Sequence, residues 1–313
     1  MRTPSLALVL VAGIALTGAP DSARTDMAPK APDPAIPDRS ATFQPPAKEA
    51  IPPGPYGDMV KLGRDVFRET DKYARPFVGN ALRCSNCHLD AGRLADSSPM
   101  WAAWVAFPAY RDKNHHVNTF QERLQGCFRF SMNGKAPPYG DKVLVALETY
   151  SAWLAQGAPV GANLPGRGYP RLKDPPLQPD YARGRIVYQQ HCALCHGPDG
   201  AGQSAGGQVV FPPLWGANSY NWGAGMEGVN TAAAFIKANM PLGLGGTLSD
   251  QDAWDVALFV DSHERPQDPR FTGDVGETRR LFHNSRWSMY GQTVAGHVLG
   301  SGLTPAAQTG AQN

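Results

Sequence analysis

Beyond its first two dozen residues the 313-residue chain has no apolar run that could cross a bilayer, which takes ~20 consecutive apolar residues, so the mature chain is expected to carry no membrane span. It also lacks any long block of like charge. Its 29 Lys and Arg stand against 27 Asp and Glu, a balance that argues against a nucleic-acid partner. Sustained period-two alternation is missing throughout, which removes the main signal for half-buried strands and favours an all-α chain. Cysteine is scarce too: there are five, and four of them fall in two tight clusters, so the pattern is not that of a disulfide framework.

What is present begins with MRTPSLALVLVAGIALTGAPDSA, where Arg2 precedes an apolar run from Leu6 to Leu16 and then small residues. This reads as a signal peptide over residues 1–23, with cleavage near Ala19 or Ala23, and implies export to the periplasm. No cysteine stands nearby to carry a lipid anchor. Residues 24–55 are proline-rich and poor in large apolar side chains, so they are expected to form an extended linker. A second Pro/Gly-rich stretch puts a linker at 161–180 between segments 56–160 and 181–265. The extension 266–313 is irregular; RLFHNSRWSMYGQ is its one part with much to bury, and the last dozen residues are expected to be disordered.

The two middle segments share a layout. DMVKLGRDVFRET leads to CSNCH and DKVLVALETYSAWLAQG closes the first, while YARGRIVYQQH leads to CALCH and LSDQDAWDVALFVDSH closes the second. The closing stretches have helical spacing: Val143, Leu147, Tyr150 and Leu154 follow a capping Asp141, and Ser249 precedes Trp254, Ala257 and Leu258. In the opening helices Gly63 and Phe67 are echoed by Gly184 and Tyr188, a pairing that would allow a close helix crossing with an aromatic one turn later. The chain therefore reads as a divergent internal duplication.

Cys-x-x-Cys-His occurs once in each copy, at Cys84, Cys87 and His88 and at Cys192, Cys195 and His196. Two thiols at this spacing attack the two vinyl groups of a haem, and the adjacent imidazole reaches the iron. A redox CxxC pair or half a zinc site would leave the histidine to chance, and two copies in an exported chain favour two covalently attached haem c groups. The expected fold is thus all-α, with two tandem class-I-like cytochrome c domains, an extended N-terminal segment and a C-terminal tail.

Each iron needs a second axial ligand. In the second domain Pro241 biases Met240 into extended backbone, so Met240 is the expected ligand, with Met226 its competitor. The first domain has no Met-Pro, and its candidates are Met100, His115, His116, Cys127 and Met132. Cys127 lies 39 positions after His88, close to the 44 that separate Met240 from His196, so the duplication places Cys127 at the distal position. Its bland alternative is a buried free thiol. If the helix around it continues past Gly126, Arg123 and Cys127 stand one turn apart on one side, and Ser131 follows. Arginines clustered at a thiolate-ligated haem suggest a pocket for a small anion, since guanidinium binds oxyanions through paired donors.

The pairing of CSNCH with RLQGCFRFSMNG, and of CALCHG with KANMP, resembles the dihaem thiosulfate dehydrogenase/tetrathionate reductase family over roughly residues 56–263. The resemblance implies that His88 and Cys127 ligate an active-site haem where two thiosulfates become tetrathionate, some members also running in reverse. It implies that His196 and Met240 ligate a second haem, which passes electrons to an external acceptor such as a small cytochrome c or a high-potential iron-sulfur protein. By position, Arg123 and Ser131 match the family's anion-binding arginine and serine, and Arg111 matches another substrate arginine. Where some relatives have a lysine that exchanges with the distal methionine, this chain has Asn239, so that switch does not carry over. Cys127 is also a candidate nucleophile, able to carry a thiosulfonate. The rival readings are a non-catalytic dihaem electron carrier, the His/Cys cytochrome subunit of the Sox sulfur-oxidising system, and a dihaem peroxidase.

Overall fold

The computed structural model describes residues 1, 39 and 42–303. The expected signal peptide, the Pro-rich linker up to residue 41 apart from Arg39, and residues 304–313 lie outside the described residues.

Among the described residues, eight helices of more than one turn carry the fold: α1 (Pro55–Arg68), α2 (Met100–Val105), α3 (Phe120–Phe130), α4 (Lys142–Leu154), α5 (Tyr181–His191), α6 (Val229–Asn239), α7 (Asp250–Asp261) and α8 (Val275–Phe282). Their starts follow local chemistry. Side-chain oxygens of Thr119, Asp141, Asp180 and Ser249 accept the free N–H groups of Glu122, Val143, Arg183 and Asp252, each cap contributing about 1 kcal/mol. The strands the sequence did not reveal are, among the described residues, three antiparallel hairpins of two to four residues per strand, β1–β2 (109–118), β3–β4 (203–211) and β5–β6 (293–298). They are too short for alternation to register.

The duplication is visible in the packing. At Gly63 a Cβ would lie 2.0 Å from the Ala146 carbonyl oxygen, and at Gly184 it would lie 2.0 Å from that of Asp255. Glycine alone lets α1 press onto α4 and α5 onto α7 at that distance. One turn later Phe67 meets Tyr150 at 6.1 Å between ring centres, and Tyr188 meets Phe259 at 5.3 Å. Both crossings sit over their Cys-x-x-Cys-His segment in the same way, giving two tandem cytochrome c-type domains in an essentially helical chain.

Segments read as connectors prove to be structural. Residues 42–51 form a strap against the first domain: Phe43 packs on Trp101 at 5.3 Å and Arg93 donates to the Pro46 carbonyl at 2.7 Å. The linker between the domains bonds along the loop after His88, with the N–H groups of Asp96 and Ser98 given to the carbonyls of Gly166 and Gly168 at 2.7 Å each. The tail braces the second domain. Trp287 lies 4.5 Å from Trp254, Tyr290 is fully buried, and Ser288 forms a bridge with Gly228. Among the described residues, no helix is long and apolar enough to cross a membrane.

Candidate functional site

Helix α3 runs unbroken through Gly126, and it carries the odd cysteine on its last full turn. Its far end is held by both domains. Asn80 donates its side-chain amide to the carbonyls of Ser131 and Ser219 at 3.0 and 3.1 Å, and Asn221 donates to that of Arg129 at 3.0 Å. These amides satisfy carbonyls that a helix C-terminus leaves open, and they fix where Cys127 stands.

Arg123 Nη1 donates to Cys127 Sγ at 2.8 Å, across one helical turn. Both residues line a cavity of about 190 Å³ together with His88, Arg111, Arg167 and Met100. Like charges gather there. Burial holds the Arg111 guanidinium somewhat below its ordinary pKa, the neighbouring Arg123 adds to this, and Cys127 pulls the other way.

The histidines of both motifs are fixed in one tautomer. His88 Nδ1 lies 2.6 Å from the Ser98 carbonyl and His196 Nδ1 lies 2.9 Å from that of Pro212; a carbonyl can only accept, so each Nδ1 bears the proton and each Nε2 offers a lone pair. Burial pushes the His88 pKa down to about 4 against the pull of the Ser98 carbonyl, and burial also lowers that of His196 against the pull of the Pro212 carbonyl, which favours the neutral ring at both. Two thiols beside a neutral imidazole with its Nε2 free is a donor set that fits haem c at both sites. At the first, His88 and Cys127 line one cavity, so both could help to hold a haem there.

The other expected residues are distributed as follows. Met240 ends α6 in extended backbone (φ −117°, ψ 149°), the conformation its Pro241 neighbour imposes. Asn239 before it is buried and donates to the carbonyls of Asp96 and Phe235 at 2.9 and 3.1 Å, while Arg39 donates to its Oδ1 at 3.2 Å. Ser131 caps α3 and gives its N–H to the Cys127 carbonyl at 2.9 Å, but it is not in the cavity wall. Met132 is core, Met226 packs at the edge of the core, and His115, on the β1–β2 turn, and His116, at the start of β2, are exposed, with His116 engaging Glu122. Met100 lies in the same wall as Cys127.

The sequence reading missed Arg167 and Ser98. Arg167 is the single cation in LPGRGYP, a stretch whose composition says spacer, and its place in the wall follows from the linker's backbone bonds to the loop after His88. Ser98 acts through its carbonyl, which no residue type announces.

The profile of the family described as "Cytochrome C oxidase, cbb3-type, subunit III" matches residues 179–260, the second domain. The chain is 59% identical over 260 residues to the thiosulfate dehydrogenase of Thiomonas intermedia (strain K12), covering 83% of each chain. It is 54% identical over 263 residues to that of Stutzerimonas stutzeri (strain A1501), covering 83% of this chain and 86% of the relative. Among solved structures it is similar to the as-isolated thiosulfate dehydrogenase (TsdBA) from Marichromatium purpuratum, with TM-score 0.82 and 54% identity. That match covers 84% of this chain and 58% of the solved one. A helical chain with two cytochrome c-type domains, 54–59% identical over most of its length to these proteins, belongs to the thiosulfate dehydrogenase family.

Proposed function

We propose that this chain is an exported, periplasmic dihaem enzyme that joins two thiosulfate ions into tetrathionate, and that the same site serves the reverse reduction. Cys84, Cys87, His88 and Cys127 hold the first haem, and Cys192, Cys195, His196 and Met240 hold the second. The observation that carries this reading is the Arg123–Cys127 contact of 2.8 Å inside a cavity that also presents His88, Arg111 and Arg167. A carrier that only relays electrons has no use for a guanidinium on that sulfur with two further arginines lining the same cavity.

The reaction turns two dianions into one dianion and releases two electrons; one S–S bond forms, and no proton is gained or lost. The chain's residues therefore have no acid–base work to do. Their task is charge and position. Two dianions held ~4 Å apart repel by about 4 kcal/mol even at the dielectric constant of water, and by more in a cavity. Arg111, Arg123 and Arg167 offset that repulsion by taking the sulfonate oxygens through paired N–H donors, which leaves the sulfane sulfurs free to meet beside Cys127. When bound, the haems supply the electron acceptors, relaying to an external partner such as a small cytochrome c or a high-potential iron-sulfur protein.

Steady-state assays of the purified holoprotein, with thiosulfate plus an oxidant and with tetrathionate plus a reductant, test the proposal. Turnover in at least one direction is expected. Activity in neither would return the chain to a non-catalytic electron carrier, and activity only with a carrier-bound sulfur substrate would favour the Sox-type subunit.

A further inference from the structure

A second cavity, of about 420 Å³, shares no residue with the one that holds Cys127. Its wall brings together Arg64 and Arg68 from α1, Arg83 before the first haem motif, Arg93 after it, and Lys48 from the N-terminal strap. Asp90 is the one carboxylate in that wall; it takes Lys48 at 2.7 Å and lies 3.6 Å from Arg93. Asp65 and Asp71, outside the wall, pair with Arg64 and Arg83 at 3.1 Å each. Arg68 has no ion pair with any described residue. Five cations against three carboxylates leave two positive charges facing one concavity.

An independent observation concerns hydrogen bonding. Only five buried side-chain nitrogen or oxygen atoms among the described residues lack a partner, and two of them, Arg93 Nη1 and Trp153 Nε1, belong to residues of this wall. Trp153 is 1% exposed. An indole N–H can only donate, and so can a guanidinium, so what both lack is an acceptor. Leaving such donors unpaired costs about 1–3 kcal/mol each; both atoms lie beneath the cavity surface, so it is the surplus positive charge of the wall's accessible guanidinium and ammonium groups that would draw an acceptor bearing negative charge.

We propose that this cavity is a second, non-catalytic anion site that takes a small tetrahedral oxyanion of charge 2−, the chemistry shared by sulfate, thiosulfate and hydrogen phosphate. Arg64 and Arg68, one turn apart on α1, present guanidinium groups from one side, and Arg93 presents another across the cavity. The site is independent of the catalytic reading, because none of its residues belongs to the Cys127 pocket.

Calorimetric titration of the holoprotein with sulfate, thiosulfate and phosphate in turn, with chloride holding ionic strength constant, tests this. The chain is measured as wild type, as Arg123→Gln, and as the Arg64→Gln/Arg68→Gln pair, with haem absorbance and unfolding temperature confirming that each folds. At least one of the three anions should bind one site that survives Arg123→Gln and weakens at least tenfold in the α1 pair, and the identity of that anion distinguishes substrate from cellular phosphate or sulfate. Absence of binding by all three would overturn the proposal. So would binding that the α1 pair leaves unchanged, or binding that disappears with Arg123 alone, which would assign it to the catalytic pocket.

Discussion

The two halves of this molecule share a frame and differ in what the frame holds. In both, a glycine lets the opening helix press against the closing one, and an aromatic one turn later seals the contact. The distal candidate of the first half rides on helix α3, with Arg123 bonded to its sulfur and two further arginines in the same cavity. That of the second half stands in extended backbone after α6, held through the hydrogen bonds of Asn239. Packing thus fixes the scaffold, while placement of one side chain and the charge around it separates the proposed site for chemistry from the proposed site for electron relay.

Removing the sulfur should break that difference most completely. Cys127→Gly is expected to lower kcat/KM by more than about 10³-fold, because it removes the group around which the cations are arranged. Both haems should remain attached, since neither Cys-x-x-Cys-His segment is touched. Steady-state kinetics beside a pyridine haemochrome assay measures the two together, and retained activity would take Cys127 out of the mechanism.

The shared frame makes a symmetric prediction. Gly63→Ala and Gly184→Ala each drive a methyl to 2.0 Å from a backbone oxygen of the opposing helix, which has no flexible end to yield. Each should cost about 3 kcal/mol, or roughly 6–12 °C in unfolding temperature. Calorimetry of the two holoproteins would show whether the halves are as equivalent in energy as in geometry; a large effect at only one site would end the equivalence.

A smaller effect should expose the difference between the distal supports. Asn239→Ala removes two donated bonds and one accepted bond from a buried position, costing about 2 kcal/mol. The absorbance that reports methionine ligation of the second haem should then be lost at a lower urea concentration than in the wild type, while the first-haem spectrum stays unchanged. Simultaneous loss at both haems would mean that Asn239 supports the whole interface rather than Met240.

Much of the frame was legible because its signals are local. The haem motifs, the capping Asp141 and Ser249, the glycine–aromatic pairs and the Met-Pro step each act within a few residues, where spacing alone carries the geometry. The site was legible as far as α3 reaches: Arg123 and Cys127 meet because i and i+4 must. Ser131 has the same spacing yet lies outside the wall, because spacing names a helix face and not how far along it a cavity extends. Arg167, Ser98, Asn80 and Asn221 were not legible. They act across 10 to 139 positions of chain through backbone carbonyls or a linker's path, and composition does not encode such partners.

The smallest predicted effect lies in the brace that only the second half has. His283 is 2% exposed and sits between Asp268, 2.9 Å from its Nε2, and Glu227, 3.3 Å from its Nδ1, with Tyr290 stacked on its ring. Burial disfavours the imidazolium, but the hydrogen bonds to the two carboxylates outweigh it and raise the pKa of His283. Asp268 is shifted the opposite way: burial alone would raise its pKa, and bonds from His283 and Arg270 hold it well below the usual carboxylate range. A histidine with a raised native pKa contributes stability that is full below its unfolded value of about 6.5 and is lost as pH rises through the native value. The Asp268 contribution is constant across that window, since it disappears only in strong acid, but burial raises the pKa of the Asp261 carboxyl to about 7, which adds a loss of the same sign up to that pH, so the His283 contribution is read above it. Urea unfolding of the holoprotein from pH 7.5 to 9 should therefore show the second haem's transition moving to lower urea, by at most about 1.4 kcal/mol per pH unit. The first haem should lag behind it, and His283→Gln should flatten the slope. A slope of equal size at both haems, or one that survives the substitution, would place the titrating group outside the tail and remove this asymmetry between the halves.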